Sequence, residues 1–335
     1  MADISTFFDQ NLRIDVFCQS WSLESTHLVS KEVLSFIARG IGLMSQRSLS
    51  PFPYQGSKRL LAKSIFEHVP LKVNNFYEPF AGSAAMALAL ASQQPKTFIY
   101  LNDVNEPLAA LWDAIIQDPI ALAGKYETLW TLQHEDPRAF YSAVRENFNR
   151  DKKPEDFLYL LARCVKGAVR YNAAGEFNQS PDHRRFGTKP ERMRIQLLHT
   201  SNLLKGRTTV SGLDYRESLK EATSDDIVYL DPPYQGVSDV RDNRYLAGLG
   251  FEEFVESLRE LLSRRIPLII SYDGKTGEKQ YGEMLPEDLG LKHFYLNAGK
   301  STSSTLHGKD ELTFESLYIS PELANSGLRQ SLLIQ

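Results

Sequence analysis

The stretch NNFYEPFAGSAAMALALASQQPKTFIYLNDVN, residues 74–105, decides the fold. NNFYEPFAG (74–82) runs from an apolar and aromatic stretch into a glycine, the pattern of a strand ending in a tight turn. SAAMALALASQ (83–93) is rich in alanine and leucine and reads as a helix. TFIYLNDVN (97–105) is a second strand, ending in Asp103, and EPLAALWDAIIQ (106–117) is a second helix with proline near its start. Strand, helix, strand at this spacing is a βαβ unit, which makes the sheet parallel and the class α/β.

Outward from this unit, residues 117–168 read as helices: DPIALAGKYETLW, DPRAFYSAVRENF and PEDFLYLLARCVKGA, each opened by a helix-start signal. YNAAGEFNQSPDHRRFGTKP (171–190) breaks the helical run with Gly, Asn and Pro and reads as a hairpin or long loop. ERMRIQLLHTSNLL is one more helix. Sheet resumes with TTVSGLDY, DIVYLDPPY, IPLIISYDG and ESLYIS, with the helix GFEEFVESLRELLSRR between the second and third. The sheet is therefore interrupted by a mostly helical insert, about residues 136–204. Open α/β sheets bind ligands at the carboxyl ends of their strands. Five such ends carry a carboxylate: Glu78, Asp103, Asp214, Asp231 and Asp273.

Composition sets the frame. The chain has 335 residues, 42% hydrophobic and 24% charged, which suits an ordinary globular protein of one or two domains. No apolar run reaches the roughly 18–20 residues of a membrane span, and the N-terminus lacks a secretory pattern. Cys18 and Cys164 make neither a disulfide framework nor a zinc site, and the histidines show no metal-ligand spacing. The cytoplasm is the expected compartment, with no membrane partner and no metal. The net charge of −4 argues against nucleic acid, but local charge decides binding. Arg184, Arg185, Lys189, Arg192 and Arg194 form a basic run, readable as a phosphate-binding patch or as a solvated helix start. Residues 1–50 carry no chemical motif, and residues 1–43 read as an extension dispensable for chemistry.

The motifs suggest chemistry one by one. YEPFAGS is a strand, a turn at Gly82 and a helix start, which can cradle a cofactor or simply pack an α/β unit; the GxGxxG fingerprint of dinucleotide sites is absent. Asp103 can accept both hydroxyls of a ribose or cap the helix starting near Glu106. Tyr54 and Lys58 precede the first strand. Lys58 could bind a carboxylate or phosphate, although taken alone it reads as a surface lysine opening a helix. Asp231-Pro232-Pro233-Tyr234 is the most telling element. Proline fixes φ and removes a donor, so the Asp231 carboxylate and the Pro232 carbonyl form two placed acceptors that match the two hydrogens of an exocyclic amino group. Tyr234 offers a ring on which a base can stack.

These motifs resemble, in order, those of the Dam-type DNA adenine-N6 methyltransferases, from about Pro51 to Pro321. PFPYQGSK is similar to the family's opening cofactor motif, with Tyr54 and Lys58 at contact positions. YEPFAGS resembles its Glu-Pro-Phe glycine motif, here with one glycine where relatives often have two. LNDVN resembles the element whose aspartate holds the cofactor ribose, and LDYRESL the segment whose acidic residue, here Asp214, approaches the cofactor adenine. VRYNAAGEFN with FGTKP is similar to the DNA-contacting hairpin, and ISYDG and STSSTLHGKDELTFESLYIS to the late strand and closing hairpin. The resemblance implies a Rossmann-like class I methyltransferase sheet with a helical target-recognition insert carrying a β-hairpin. It divides the chain into an N-terminal extension (1–50), a catalytic domain (51–135 and 205–321), a target-recognition domain (136–204) and a tail (322–335). It implies S-adenosylmethionine as cofactor, bound by Tyr54, Lys58, Glu78, Pro79, Phe80, Gly82, Asp103, Asp214 and Asp231. Catalysis would fall to Asp231, Pro232, Pro233 and Tyr234. Double-stranded DNA would be read by Arg170, Asn172, Asn178, Arg185 and Lys189, and a cognate restriction endonuclease is a further expected partner. Cytosine N4, an adenine in RNA, a silent cofactor- and DNA-binding regulator and a nicotinamide-dependent oxidoreductase are the competing readings.

Overall fold

The computed structural model describes residues 50–233, 249–277, 279–300 and 312–325. Tyr234, the extension up to residue 49, residues 301–311 of the closing hairpin motif and the tail beyond residue 325 lie outside the described residues. A 3-10 turn (Lys58–Leu60) leads into α1 (Ala62–Phe66). The expected βαβ unit follows as β1 (Asn75–Glu78), α2 (Ala85–Gln93) and β2 (Phe98–Asn102). Five helices come next: α3 (Glu106–Gln117), α4 (Pro119–Leu132), α5 (Pro137–Asp151), α6 (Pro154–Arg163) and α7 (Pro190–Leu204). The sheet resumes with β3 (Thr208–Ser211), the short α8 (Tyr215–Ser218) and β4 (Ile227–Leu230). Then come α9 (Phe251–Ser263), β5 (Leu268–Thr276), β6 (Lys279–Tyr281), β7 (Lys292–Lys300), β8 (Leu312–Ile319) and α10 (Pro321–Asn325).

The strands lie in the order β3-β2-β1-β4-β5-β8-β7, with β6 paired to β5. Strands β1 to β5 are parallel, whereas β8 runs antiparallel to β5 and β7 antiparallel to β8. Strand β4, central in the sheet, is buried on both faces, which is why IVYL is uniformly apolar instead of alternating. One apolar cluster covers one face through Tyr77, Val228, Leu230, Phe254, Leu258 and Ile270. The other joins Phe76, Ile99 and Leu101 of the sheet to Phe148, Phe157, Phe177 and Leu197 of the helical segment. The residues expected to form an insert therefore share a core with the sheet: α6 and α7 both pack on α3 and α4.

Local chemistry accounts for the helix starts. Asp118 accepts from the Ala121 N–H, and Asp136 from those of Arg138 and Ala139, each ahead of a proline at the first helical position. The helix expected to continue past Arg163 stops there. Cys164 is extended, and Lys166 and Gly167 take positive φ of 60° and 61°. The chain then folds back on itself, with Tyr171 bridged to Phe177 and Cys164 to Pro181. The expected hairpin is present as these isolated antiparallel bridges and not as a regular two-stranded ladder. Strand β7 was not expected from the sequence; its residues, KHFYLNAGK, pair along β8.

Gly167 couples this turn to the N-terminal motif. Its carbonyl accepts from the Gln55 N–H at 3.0 Å. A Cβ at residue 167 would lie 2.7 Å from the carbonyl carbon and oxygen of Pro53. Gly167→Ala thus meets both the left-handed penalty and a backbone overlap. It should destabilise the protein by about 2–5 kcal/mol, checked by the shift of its urea unfolding midpoint.

Candidate active site

The carboxyl ends of β1, β2, β3 and β4 converge on a cavity of about 390 Å³, within the range of small-molecule sites. After β1 the chain passes Pro79 and Phe80 into a turn at Gly82, φ +47°. A Cβ on Gly82 would lie 3.1 Å from the Tyr54 ring, so glycine lets this ring close over the turn. The Gly82 N–H donates to Asp103 Oδ2 at 2.9 Å, and its carbonyl accepts from Trp112 Nε1 at 2.9 Å. Ala84 is also left-handed, φ +49°. The turn thus keeps the conformation that a second glycine would ease. Glu78 Oε2 accepts from the Ala87 N–H at 2.7 Å, tying the end of β1 to α2.

Asp103 serves the turn and the next helix together. Its second oxygen accepts from the Asn105 N–H at 3.0 Å. Burial pushes its carboxyl up to about 6, against the opposing pull of these two N–H groups. Its neighbour Asn102, which the sequence reading passed over, fastens three strand ends together. It accepts from Ser211 Oγ (2.7 Å) and the Leu213 N–H (2.8 Å), and donates to the carbonyls of Pro79 (3.1 Å) and Leu213 (2.9 Å). Asp214 caps α8 by accepting from the Arg216 N–H at 2.9 Å. The Arg216 guanidinium also grips its carboxylate and pairs with Glu253, which holds Asp214 below the usual carboxylate range. Asp214 lines the cavity with Arg216, Glu253 and Phe80, whose ring tilts against Tyr215 at 5.1 Å.

The fourth strand end carries the densest charge. Asp231 follows β4, and its Oδ1 accepts from Lys58 Nζ at 2.7 Å. The same ammonium pairs with Glu315 Oε1 of β8 at 3.0 Å. Lys58 is 7% exposed, which corrects the reading of it as a surface lysine: its partners come from β4 and β8, far away in the chain. Burial alone would lower its pKa, but the two carboxylates outweigh burial and hold it firmly protonated. Burial raises Asp231, with Lys58 opposing and Glu315 adding to the rise. Pro232 and Pro233 follow at the cavity wall. Glu315 had gone unnoticed in the sequence because an acid inside FESLYIS carries no local signal of its partner.

All nine residues expected at a cofactor site line this one cavity: Tyr54, Lys58, Glu78, Pro79, Phe80, Gly82, Asp103, Asp214 and Asp231. From the helical segment, Val169 and Tyr171 line it too, and the Tyr171 hydroxyl donates to Asn105 Oδ1 at 3.0 Å. The residues expected to read DNA lie on the fold-back and the approach to α7. Arg170, Asn178, Arg185 and Lys189 are exposed. Asn172 is half-buried and engaged within its own turn: its Oδ1 accepts from the Ala174 and Glu176 N–H groups and its Nδ2 donates to Glu176 Oε2, so it shapes the turn. In the basic run, Arg184 pairs with Asp182 and Arg194 with Glu127.

The parallel sheet, its antiparallel closing strands and the cavity at the strand ends define a Rossmann-like methyltransferase. Residues 54–295 match the family model of the D12 class N6 adenine-specific DNA methyltransferases, and the chain belongs to that family. It is similar to the type II methyltransferase M.MjaIII of Methanocaldococcus jannaschii, at 28% identity over 56% of this chain and 70% of that protein. The type II methyltransferase M1.LlaDCHI of Lactococcus lactis is 28% identical over 57% of this chain and 68% of its own. The DNA adenine methylase of Serratia marcescens is 28% identical over 65% of this chain and 81% of its own. The protein is thus an adenine-specific DNA methyltransferase that uses a methyl donor of the S-adenosylmethionine type. Among the described residues no helix is long and apolar enough to cross a membrane.

Glu78 gives the site a pH signature. Burial pushes its carboxyl up to about 8, with the Ala87 N–H opposing and Asp231 adding to the rise. The folded chain thus keeps a proton that the unfolded chain releases above its ordinary value of 4.5. The stability this contributes is complete below that value and is lost as pH rises through about 8. Glu78→Gln keeps the acceptor for Ala87 and removes the titration. Between pH 5 and 9, wild-type stability should fall by several kcal/mol relative to the variant, read from urea midpoints against pH.

Proposed function

We propose that the chain methylates N6 of an adenine flipped out of duplex DNA at a specific sequence, with S-adenosylmethionine as donor. The observation that carries this reading is the Asp231 carboxylate, held by the buried Lys58 in the same cavity as the Gly82 turn and Asp103. The cofactor fits the residues present: a glycine turn of close approach, an acid beside it for ribose hydroxyls, and an aromatic wall from Tyr54 and Phe80. When bound, it supplies a sulfonium methyl group.

The chain's residues do the rest. Lys58 engages Asp231 Oδ1, so Oδ2 is the oxygen we assign to one amino hydrogen; the Pro232 carbonyl takes the other. These bonds draw the nitrogen toward tetrahedral geometry and free its lone pair to form the N–C bond as the methyl–sulfur bond breaks. Asp231 or water receives the surplus proton. Positioning and electrostatics supply most of the acceleration. Tyr234 stacks on the extruded base, whose flipping costs a few kcal/mol. Arg170 and Asn178 are assigned to base edges, and Arg185 and Lys189 to phosphates. Asn172 belongs to this group as the residue that shapes the fold-back presenting them. The type II names of the relatives support a restriction–modification role with a cognate endonuclease, and we place the enzyme in the cytoplasm.

The test is methyl transfer from labelled S-adenosylmethionine to unmethylated DNA, with products digested to nucleosides and identified by mass. Methyladenine is expected from the parent and none from Asp231→Ala, whose DNA binding should be largely intact. Methylcytosine would move the acceptor to cytosine N4, and turnover by Asp231→Ala would sink its assigned role. Tyr234→Ala should lose more activity than Tyr234→Phe, since stacking needs the ring. In a sequence-preference screen, Arg170→Ala should relax specificity at one base pair, at a cost of about 1–3 kcal/mol. Lys189→Ala should weaken binding alike on all sequences.

A further inference from the structure

Lys58 is shared by two carboxylates. Its ammonium meets Asp231 at 2.7 Å and Glu315 at 3.0 Å, with side-chain exposures of only 7%, 19% and 11% for the three. A lysine and one carboxylate already make a neutral pair. Burying a second carboxylate costs several kcal/mol of desolvation, and Glu315 does not line the cavity, so it meets no ligand there. We propose that Glu315 is a positioning residue for methyl transfer: it balances the charge of Lys58, so that the Asp231 carboxylate retains its full strength as an acceptor for the amino group. The inference rests on the role given to Asp231 above.

The reaction explains why such balance matters. The amino nitrogen gains positive charge as its bond to the methyl carbon forms. A neutral Lys58–Asp231 pair offers that charge little. Sharing the ammonium with Glu315 leaves Asp231 more of its own negative charge to offer, and in a water-poor site this is an effective stabiliser. The backbone is shaped to place Glu315. Gly274 of β5 sits opposite it in register, where a Cβ would lie 2.1 Å from the Phe314 carbonyl oxygen and 3.1 Å from Glu315 Cα. The register shifts between Ser271 and Gly274, and Asp273 between them takes φ +50°. The glycine of ISYDG thus lets β8 come close enough to deliver its acid to Lys58. The ionisable groups acting on Asp231 come from four elements: Lys58 of the 3-10 turn, Glu315 of β8, Glu78 of β1 and Tyr229 of β4.

The experiment is steady-state methyl transfer by the full chain, as a function of pH, for Glu315→Gln, Lys58→Met and the double variant, with Asp231→Asn alongside. Glu315→Gln should lower kcat roughly 10²-fold with KM nearly unchanged. Glu315 raises the Asp231 pKa, so the acid limb of kcat should also move to lower pH, a change that mere loosening of the fold would not produce. Lys58→Met leaves two buried carboxylates facing each other. The double variant leaves the Asp231 carboxylate without that repulsion, and should be more active than Lys58→Met. An unmoved acid limb, a loss confined to KM, or a double variant no better than Lys58→Met would each overturn the inference; if Glu315→Gln fails to fold, the last comparison decides. Activity in Asp231→Asn would instead overturn the role of Asp231 itself, and the inference with it.

Discussion

One buried ammonium holds this structure's chemistry in place. Lys58 belongs to the turn before α1, Asp231 to the end of β4 and Glu315 to the middle of β8, and the three meet at Nζ. A charge so buried is stable only with partners at hydrogen-bonding distance. The N-terminal motif, the central strand and the antiparallel closing strand are therefore constrained to arrive together. The opening segment PFPYQGSK is tied to the strand ends through this lysine, and also through the Gln55 N–H on the Gly167 carbonyl and Ser57 on Ser83. Tyr54 comes with it, over the Gly82 turn.

The same cavity gathers carboxyls whose protonation burial disfavours losing: Glu78, Asp103 and Asp231 all stand above their ordinary values. They differ in what opposes the rise. Asp103 has two backbone N–H groups, Glu78 the start of α2, and Asp231 a lysine. A fold that places strand ends beside helix starts supplies backbone donors cheaply to the first two. Only the acid assigned to the substrate needs a side-chain cation, because its backbone surroundings are prolines without N–H groups.

Much of this was legible in the sequence, for local reasons. NNFYEPFAG to LNDVN carries its own periodicity, its glycine and its terminal acid, and the structure returns strand, turn, helix and strand in place. The Asp-Pro helix starts were equally readable, because a cap acts within three residues. What escaped depends on distant pairing. Lys58 read as a surface lysine because no short window contains β4 or β8, and Glu315 for the converse reason. Strand β7 went unseen because an edge strand is specified mainly by the neighbour it pairs with. That the Asn172 amide closes the turn it sits in was not visible in the sequence either. Asn102 looked like punctuation before Asp103, yet it fastens three strand ends.

The helical segment does not merely sit beside the sheet. Gly167 binds the backbone at Gln55, Tyr171 reaches Asn105, and Phe157 and Leu197 share an apolar cluster with Ile99 and Leu101. It follows that this segment is not an interchangeable cassette. A chimera that exchanged residues 136–204 for those of a relative would cut through one core and sever the contacts that set one wall of the cavity. Exposed side chains on the fold-back can be changed without touching that core, whereas the segment cannot be transplanted whole without breaking it.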